Sequence, residues 1–378
     1  MKLRRFIILT ILISLLIPSL CGCQNNKAPS DFSELKLENR MTLDYATQFS
    51  VDYYEGGYKL ISLGDGSRFF VVPEGSVLPS GLGDDVVALY QPIKNIYLAA
   101  TSAMCLFDAL DRLDAIRLSG TKEDGWYIEN ARKEMSEGNI VYAGKYSEPD
   151  YELLLAEDCK VAVESMMIGH SSDVKEQLER LGIAIIVDQS SNETHPLGRA
   201  EWIRFYGALL NEEEKAEQIF REQIDILNSV IEKESTGKTV SFFYISSTGR
   251  VVARKSGDYV CKMIELAGGR YAFDSLGDPT SKMSTVTLEM EAFFEAAKDA
   301  DVMIYNGTIA GEVKTIDELV QKNALLKEFK AVQNGNVWCT ERNMYQETTE
   351  LGTMVQSFRS IFEDDGTLDQ VPFFFKLK

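Results

Sequence analysis

The chain of 378 residues has only two histidines, His170 and His195, and that scarcity removes several chemistries at once. A dedicated zinc or manganese centre wants about three histidines with a carboxylate, so none is expected. A serine–histidine–aspartate triad has little histidine to draw on, and no G-x-S-x-G elbow occurs. There is no C-x-x-C pair to suggest a cluster or zinc knuckle, and no D-x-D-x-D-G loop for calcium. The stretch "STGKT" at Ser235–Thr239 imitates the end of a phosphate-binding loop. Glu232, however, stands where the first glycine belongs, and the order is helix then strand. Positive charge is also short: 39 Lys and Arg face 58 Asp and Glu, a net −19. No basic stripe interleaved with aromatics appears, so nucleic acid is not an expected partner.

The chain also lacks an apolar run of the roughly 20 residues that a comfortable membrane span needs. What it has is Lys2, Arg4 and Arg5, then an apolar run from Phe6 to Leu20 with Pro18 near its end. That is the layout of a secretory signal. Arg4-Arg5 lacks the rest of a twin-arginine motif, so general secretion is expected. Leu20-Cys21-Gly22-Cys23 resembles a bacterial lipobox. Bulky Leu20 before Cys21 argues against that cysteine, whereas Gly22 precedes Cys23 and a polar stretch follows it. Cys23 is therefore read as the lipidated first residue of the mature protein, and residues 23–40 as a flexible tether. Two or three acyl chains make such an anchor stable. The expected location is the extracytoplasmic face of the cell membrane.

Removing residues 1–22 takes away three basic residues and no acidic one, leaving 36 basic against 58 acidic, or −22. So acidic a body stands off from an anionic bilayer. The 356 residues that remain suffice for two domains. Cys105, Cys159, Cys261 and Cys339 are far apart in apolar settings and read mostly as buried small hydrophobes.

From Asp44 onward short β-branched runs alternate with amphipathic ones. Phe69–Val72, Val86–Leu89, Ile96–Ala99, Ala115–Leu118, Ile140–Tyr142, Lys160–Val163 and Ala184–Val187 read as strands. Ala103–Leu113 and Glu176–Leu181 read as helices among them. This spacing predicts βαβ units and a mainly parallel sheet. Then "NEEEKAEQIFREQIDILNSVIEKE", about Asn211 to Glu234, has no Gly or Pro. Ala216, Ile219, Phe220, Ile224, Ile226, Leu227 and Ile231 recur in it at helical spacing. It predicts a helix of roughly 35 Å, capped by Asn211, with Glu212–Glu214 suiting the dipole. The pattern restarts with strand Val240–Ile245. Helices follow at Tyr259–Ala267 and Leu288–Ala297, then a buried strand at Val302–Tyr305 and short helices at Ile316–Leu319 and Ala324–Lys330. An edge-like strand at Asn336–Cys339 and a final helix from about Thr348 to Phe362 complete it. The reading is α/β: a first lobe over 41–210, a linker helix over 211–235 and a second lobe over 236–378. The ligand cleft lies between two Rossmann-like lobes.

The stretches "GKYSEPDYELLLAEDCKVAVES", "HPLGRAEWIRFYGALLNEEEKAEQIF" and "MEAFFEAAKDADVMIYNG", ordered around one long helix, carry a further likeness. Over about Met41 to Phe375 the chain resembles the helical-backbone class of periplasmic binding proteins, the substrate-binding lipoproteins of ABC importers for ferric siderophores, haem or cobalamin. The resemblance implies a binding protein and not an enzyme, working as a monomer with no resident cofactor. It also implies two partners, a small-molecule metal chelate and an ABC permease with its ATPase. Glu152 and Glu291, each opening a helix before a buried strand, match the glutamates thought to pair with permease arginines. Glu289 competes for the second role, and either residue also simply suits a helix dipole.

Cleft residues are expected at strand carboxyl ends. Trp126 and Tyr127 offer flat faces, or plug a helix start. Ser165, Met166 and His170 follow one strand. Glu193, His195 and Arg199 follow another, either binding ligand or tying their own loop. Arg250, Arg254 and Lys255 form the densest cationic group, suited to an anionic complex or to a solvated hairpin. Arg342 and Tyr345 lie in "TERNMYQE". A ferric siderophore is the first ligand expected. Haem or a corrinoid is the rival, favoured by Met166, Met167 or His170. A surface-anchored enzyme or sensor is a further alternative.

Overall fold

A computed structural model describes residues 30–273, 275–278 and 283–378. The signal segment and Cys23 lie outside the described residues. The first finding is a sheet that the β/α reading did not separate. Leu37–Arg40, Phe49–Tyr54, Tyr58–Leu63, Arg68–Val72 and Val86–Tyr90 lie side by side in chain order. The first four are antiparallel neighbours, and the fifth joins in parallel. Gly56 and Gly57, both at φ +83°, make the tight turn between the second and third strands, where side chains are disfavoured. Phe69–Val72 and Val86–Leu89 therefore belong to this amino-terminal sheet and not to the parallel one. The tether assignment also ends too late. Leu37–Arg40 is a strand paired antiparallel with Phe49–Tyr54, and Arg40 forms an ion pair with Asp52 across the ladder.

The first lobe is built on an all-parallel sheet in the order Ala184–Asp188, Val161–Ser165, Ile96–Leu98, Ile116–Ser119, Val141–Tyr142. Its strands are near-continuous apolar runs because helices cover both faces. The second lobe has Thr239–Ile245, Val302–Tyr305 and Val337–Thr340 in parallel at its centre. Val251–Arg254 and Thr285–Leu288 extend one side antiparallel. Thr285–Leu288 takes the start of the expected helix, which runs from Met290 to Ala297. On the other side Phe374–Lys376 and Gln370–Val371 cover Val337–Thr340, so that strand is interior, not an edge. Its residues are all buried, consistent with that place.

Between the sheets the chain runs through helix Glu213–Ile231, about 28 Å long by its rise. Ala216, Phe220, Gln223, Leu227 and Val230 are its buried residues, one stripe at steps of three and four. Ile231 is exposed, and the buried stripe ends at Val230, one residue before the expected end. Asn211 is not the cap of this helix. It ends the preceding helix, Trp202–Leu210, in the left-handed conformation at φ 62°, a position that asparagine tolerates. The linker helix packs on Trp202–Leu210 and on the final helix, Leu351–Glu363. Phe220, Val163, Ile304 and Phe358 share one continuous core that runs through both lobes. Each such buried side chain contributes roughly 1.5–3 kcal/mol, so wide opening of the lobes would be costly.

The candidate ligand cleft

Asn306 follows the buried strand Val302–Tyr305 and is almost fully buried. Its Nδ2 donates to the Tyr345 hydroxyl at 2.8 Å. Arg254, ending its own strand, donates to the same hydroxyl, and its guanidinium lies 5.0 Å from the Tyr345 ring centre. The Asp258 carboxylate stands 3.7 Å from Arg254. From the first lobe, Arg199 lays its guanidinium 3.6 Å over the ring of Tyr259. Two carbonyls of its own lobe hold it, Glu193 at 3.0 Å and Ser191 at 2.6 Å. Burial raises the pKa of the Tyr259 and Tyr345 phenols, while the arginine charges beside them pull it back down. Burial lowers the Arg199 pKa, while Tyr259 and Asp258 pull it back up. The charges of Arg199 and Arg254 both lower the Tyr259 pKa, against the larger effect of burial.

The stretch Tyr345–Glu350 is stitched to the first lobe. The Gln346 side chain donates to the Gly125 carbonyl at 2.8 Å and accepts from the Tyr127 amide at 2.8 Å. The Thr348 hydroxyl donates to the Ser102 carbonyl at 3.1 Å. Between these ties Glu347 is half-buried, and burial with the nearby Glu350 charge pushes its carboxyl up to about 7. Among the buried acceptors without a donor in the described residues are Asn306 Oδ1 and Asn343 Oδ1. A bound group with N–H or O–H donors would satisfy them. Exposed apolar side chains follow strands of both lobes in the chain: Met166 and Met167 in the first, Ile309 in the second, with Tyr127 exposed in the loop after Ile116–Ser119. A recess of about 740 Å³ opens between Tyr127 and Glu312, Glu341, Arg342 and Asn343.

The expected site residues divide accordingly. Arg254 bonds Tyr345 and Arg199 stacks on Tyr259, whereas Tyr127 and Met166 are exposed. Trp126 is 1% exposed and its indole N–H donates to the Ser119 hydroxyl at 3.2 Å. It is the plug of that loop, and its face is closed to any ligand. Ser165 caps the short helix Met166–His170, accepting from the Met167 amide at 3.3 Å, and His170 is exposed at its end. His195 caps Pro196–Ala200 through Nδ1 and stacks on Tyr45 at 4.6 Å, so it is a loop fastener. Burial and the Lys262 charge lower its pKa, leaving it neutral. Glu193 likewise accepts from the amides of Thr47 and Gln48. Arg250 sits on the exposed hairpin turn, paired with Glu289 at 2.8 Å, away from the Arg254 group. Glu152 and Glu291 are exposed in first helical turns, at Tyr151–Ala156 and Met290–Ala297. The four described cysteines are buried and unpaired. Asn306, Asp258 and Tyr259 were not among the expected contacts. Only Asn306, directly after a buried strand, carried a positional signal.

Residues 107–343 match the family model described as periplasmic binding protein. The chain belongs to this family. It is a family of binding proteins, not of enzymes. This periplasmic binding protein is 27% identical over 330 residues to an uncharacterized lipoprotein of Methanocaldococcus jannaschii, covering 82% of this chain and 77% of the relative. Among solved structures, its fold is similar to that of the periplasmic haem-binding protein HutB of Vibrio cholerae. That match has a TM-score of 0.58 and 17% identity, over 72% of this chain and 99% of that one. A protein of the ABC-type Fe3+-hydroxamate transport system of Saccharomonospora viridis is similar at TM-score 0.57 and 17% identity, over 72% and 94%. At such identities the likeness shows the fold alone. No helix among the described residues is long and apolar enough to cross a membrane.

Proposed function

We propose that this periplasmic binding protein is a lipid-anchored extracytoplasmic receptor that captures a ferric siderophore and delivers it to an ABC importer permease. The observation that carries the ligand class is the pair of guanidiniums, one from each lobe, Arg199 stacked on Tyr259 and Arg254 bonded to Tyr345. Arginine forks at low exposure suit the oxygen anions of a ferric complex, through charge-assisted hydrogen bonds. The metal chelate is cargo, and no resident cofactor is needed. Cys23 carries the acyl chains, which keep the receptor beside its permease. Glu152 and Glu291 face that permease, one from each lobe.

A second reading rests on two methionines. Met166 and Met167 are 36% and 47% exposed beside the strand end, a soft apolar surface suited to the face of a haem or corrinoid. Calorimetric titration of the unlipidated chain with ferric siderophores, haemin and cobalamin separates the two. Submicromolar binding of a ferric siderophore, lost in Arg254→Ala, is the expected result. Binding of haemin or cobalamin alone would replace it with the second reading, and failure of all three would remove both.

A further inference from the structure

The three last carbonyls of helix Trp202–Leu210 are each bonded by a side chain from the amino-terminal part of the chain. Lys59, on the third strand of the amino-terminal sheet, donates to the Ala208 carbonyl at 2.6 Å. Gln91, directly after that sheet's last strand, donates to the Leu209 carbonyl at 3.3 Å. Arg112 donates to the Leu210 carbonyl at 2.6 Å. Helix ends normally leave such carbonyls to water or a turn. Here they are used as attachment points.

The same side chains reach across the junction into the linker helix. Lys59 also donates to Asn211 Oδ1 at 2.7 Å and forms an ion pair with Glu213, the first residue of Glu213–Ile231. Gln91 and Asn211 exchange a reciprocal pair of amide bonds, 2.8 and 2.9 Å. Arg112 pairs with Glu212 at 3.3 Å. Burial lowers the Lys59 pKa, which its bonds to Glu213 offset. A second set of ties lies beside this one. The Glu201 carboxylate, wholly buried, accepts from the amides of Asp44, Tyr45 and Ala46 at 2.7–2.8 Å. Asp44 in turn pairs with Arg221 on the linker helix at 3.1 Å.

We propose that the amino-terminal sheet is a lock on the junction at Asn211, fixing the angle between the first lobe and the linker helix so that the two move as one body. Of the residues that do this, 44–46, Lys59 and Gln91 precede the segment 107–343 matched by the family model, while Arg112 lies within it. The part of the lock on the amino-terminal sheet thus lies outside the matched segment. At the far end of the helix the bonding is sparser. Residues 231–235 are exposed, and the ties there run to the second lobe, with Arg359 donating to the Glu234 carbonyl at 2.7 Å. Any change in the angle between lobes is therefore taken up at that end, against the contact with Leu351–Glu363.

The experiment is a distance measurement by double electron–electron resonance in the mature chain, with nitroxides at Glu176→Cys in the first lobe and Glu232→Cys at the end of the linker helix. Both positions are exposed, and the other described cysteines are buried. Cys23 is replaced by serine in this background. No ligand is needed, so the outcome does not depend on which chelate the cleft takes. The distance distribution is expected to be narrow, and to widen at least twofold in Lys59→Met and in Gln91→Ala. Amide exchange at residues 209–216 should rise at least tenfold in both variants, with Val302–Tyr305 unchanged. An unchanged distribution, or an equal rise of exchange throughout the chain, would overturn the lock. If Lys59→Met does not fold, Gln91→Ala decides alone, because the half-exposed Gln91 carries no buried charge.

Discussion

The guanidinium of Arg199 lies flat over the Tyr259 ring at 3.6 Å, the closest cation–aromatic contact in the molecule among the described residues. It joins the helix Pro196–Ala200 of the first lobe to Tyr259–Leu266 of the second. Stacking of a partly desolvated arginine is worth on the order of 1–2 kcal/mol. Replacing Arg199 by alanine also frees the Ser191 and Glu193 carbonyls. Arg199→Ala is expected to lower stability by about 2–3 kcal/mol in urea unfolding and to weaken ferric-siderophore binding at least tenfold. Tyr259→Phe, which keeps the ring, should do neither; equal losses in both variants would show that the hydroxyl, not the stack, matters.

Glu201 should be among the most sensitive residues for folding. Its carboxylate accepts three amides and pairs with Arg204 at 2.8 Å. Glu201→Ala leaves those donors and a mostly buried arginine without their partner, at a cost of about 3–5 kcal/mol. The midpoint of urea unfolding measures it, and a loss below about 1 kcal/mol would contradict this account.

Glu164 predicts a pH dependence. Both its oxygens are buried without partners, and burial pushes its carboxyl up to about 8 from the ordinary 4.5. Between those two values the folded chain holds a proton that the unfolded chain has released. Stability therefore falls as pH rises through that window, by up to about 1.4 kcal/mol per unit. Below about 4.5 the group costs nothing of this kind. Glu164→Gln should flatten the melting temperature between pH 5 and 8 relative to the parent. A parallel pair of curves would refute the assignment.

Charge reversal tests the permease contacts. Glu152→Lys with Glu291→Lys should abolish uptake in cells while leaving chelate affinity within about twofold, since both residues are exposed and far from Arg199 and Arg254 in sequence. Uptake at the parent rate would end the docking assignment for both.

Much of the scaffold was legible in the sequence because it rests on periodicity. The start of Val161–Ser165 and the whole of Val302–Tyr305 are apolar runs of the kind a doubly covered strand carries. Glu213–Ile231 shows its buried stripe at helical spacing. The amino-terminal sheet was less legible. Its strands alternate weakly, and Phe69–Val72, fully buried, looks the same in an antiparallel sheet as in a parallel one. The interior place of Val337–Thr340 depended on Phe374–Lys376, more than thirty residues later in the chain, pairing with it.

The cleft was legible only in part. Arg199, Arg254 and Tyr345 were accessible to sequence reasoning because they follow strands or lie near strand ends. Trp126 satisfied the same rule, yet it turned inward to Ser119. Position along the chain says where a side chain begins, whereas the rotamer that packing allows says where it ends.

The sequence by itself therefore determined most of the element types and the two α/β units. These depend on residue type and local spacing. Only the tertiary structure decided that Asn211 ends one helix instead of starting the next, that Arg250 and Arg254 part company, and that Lys59 grips a junction some 150 residues away. Such outcomes depend on which distant donors and acceptors meet, and a buried polar group must find a partner wherever the fold happens to bring one.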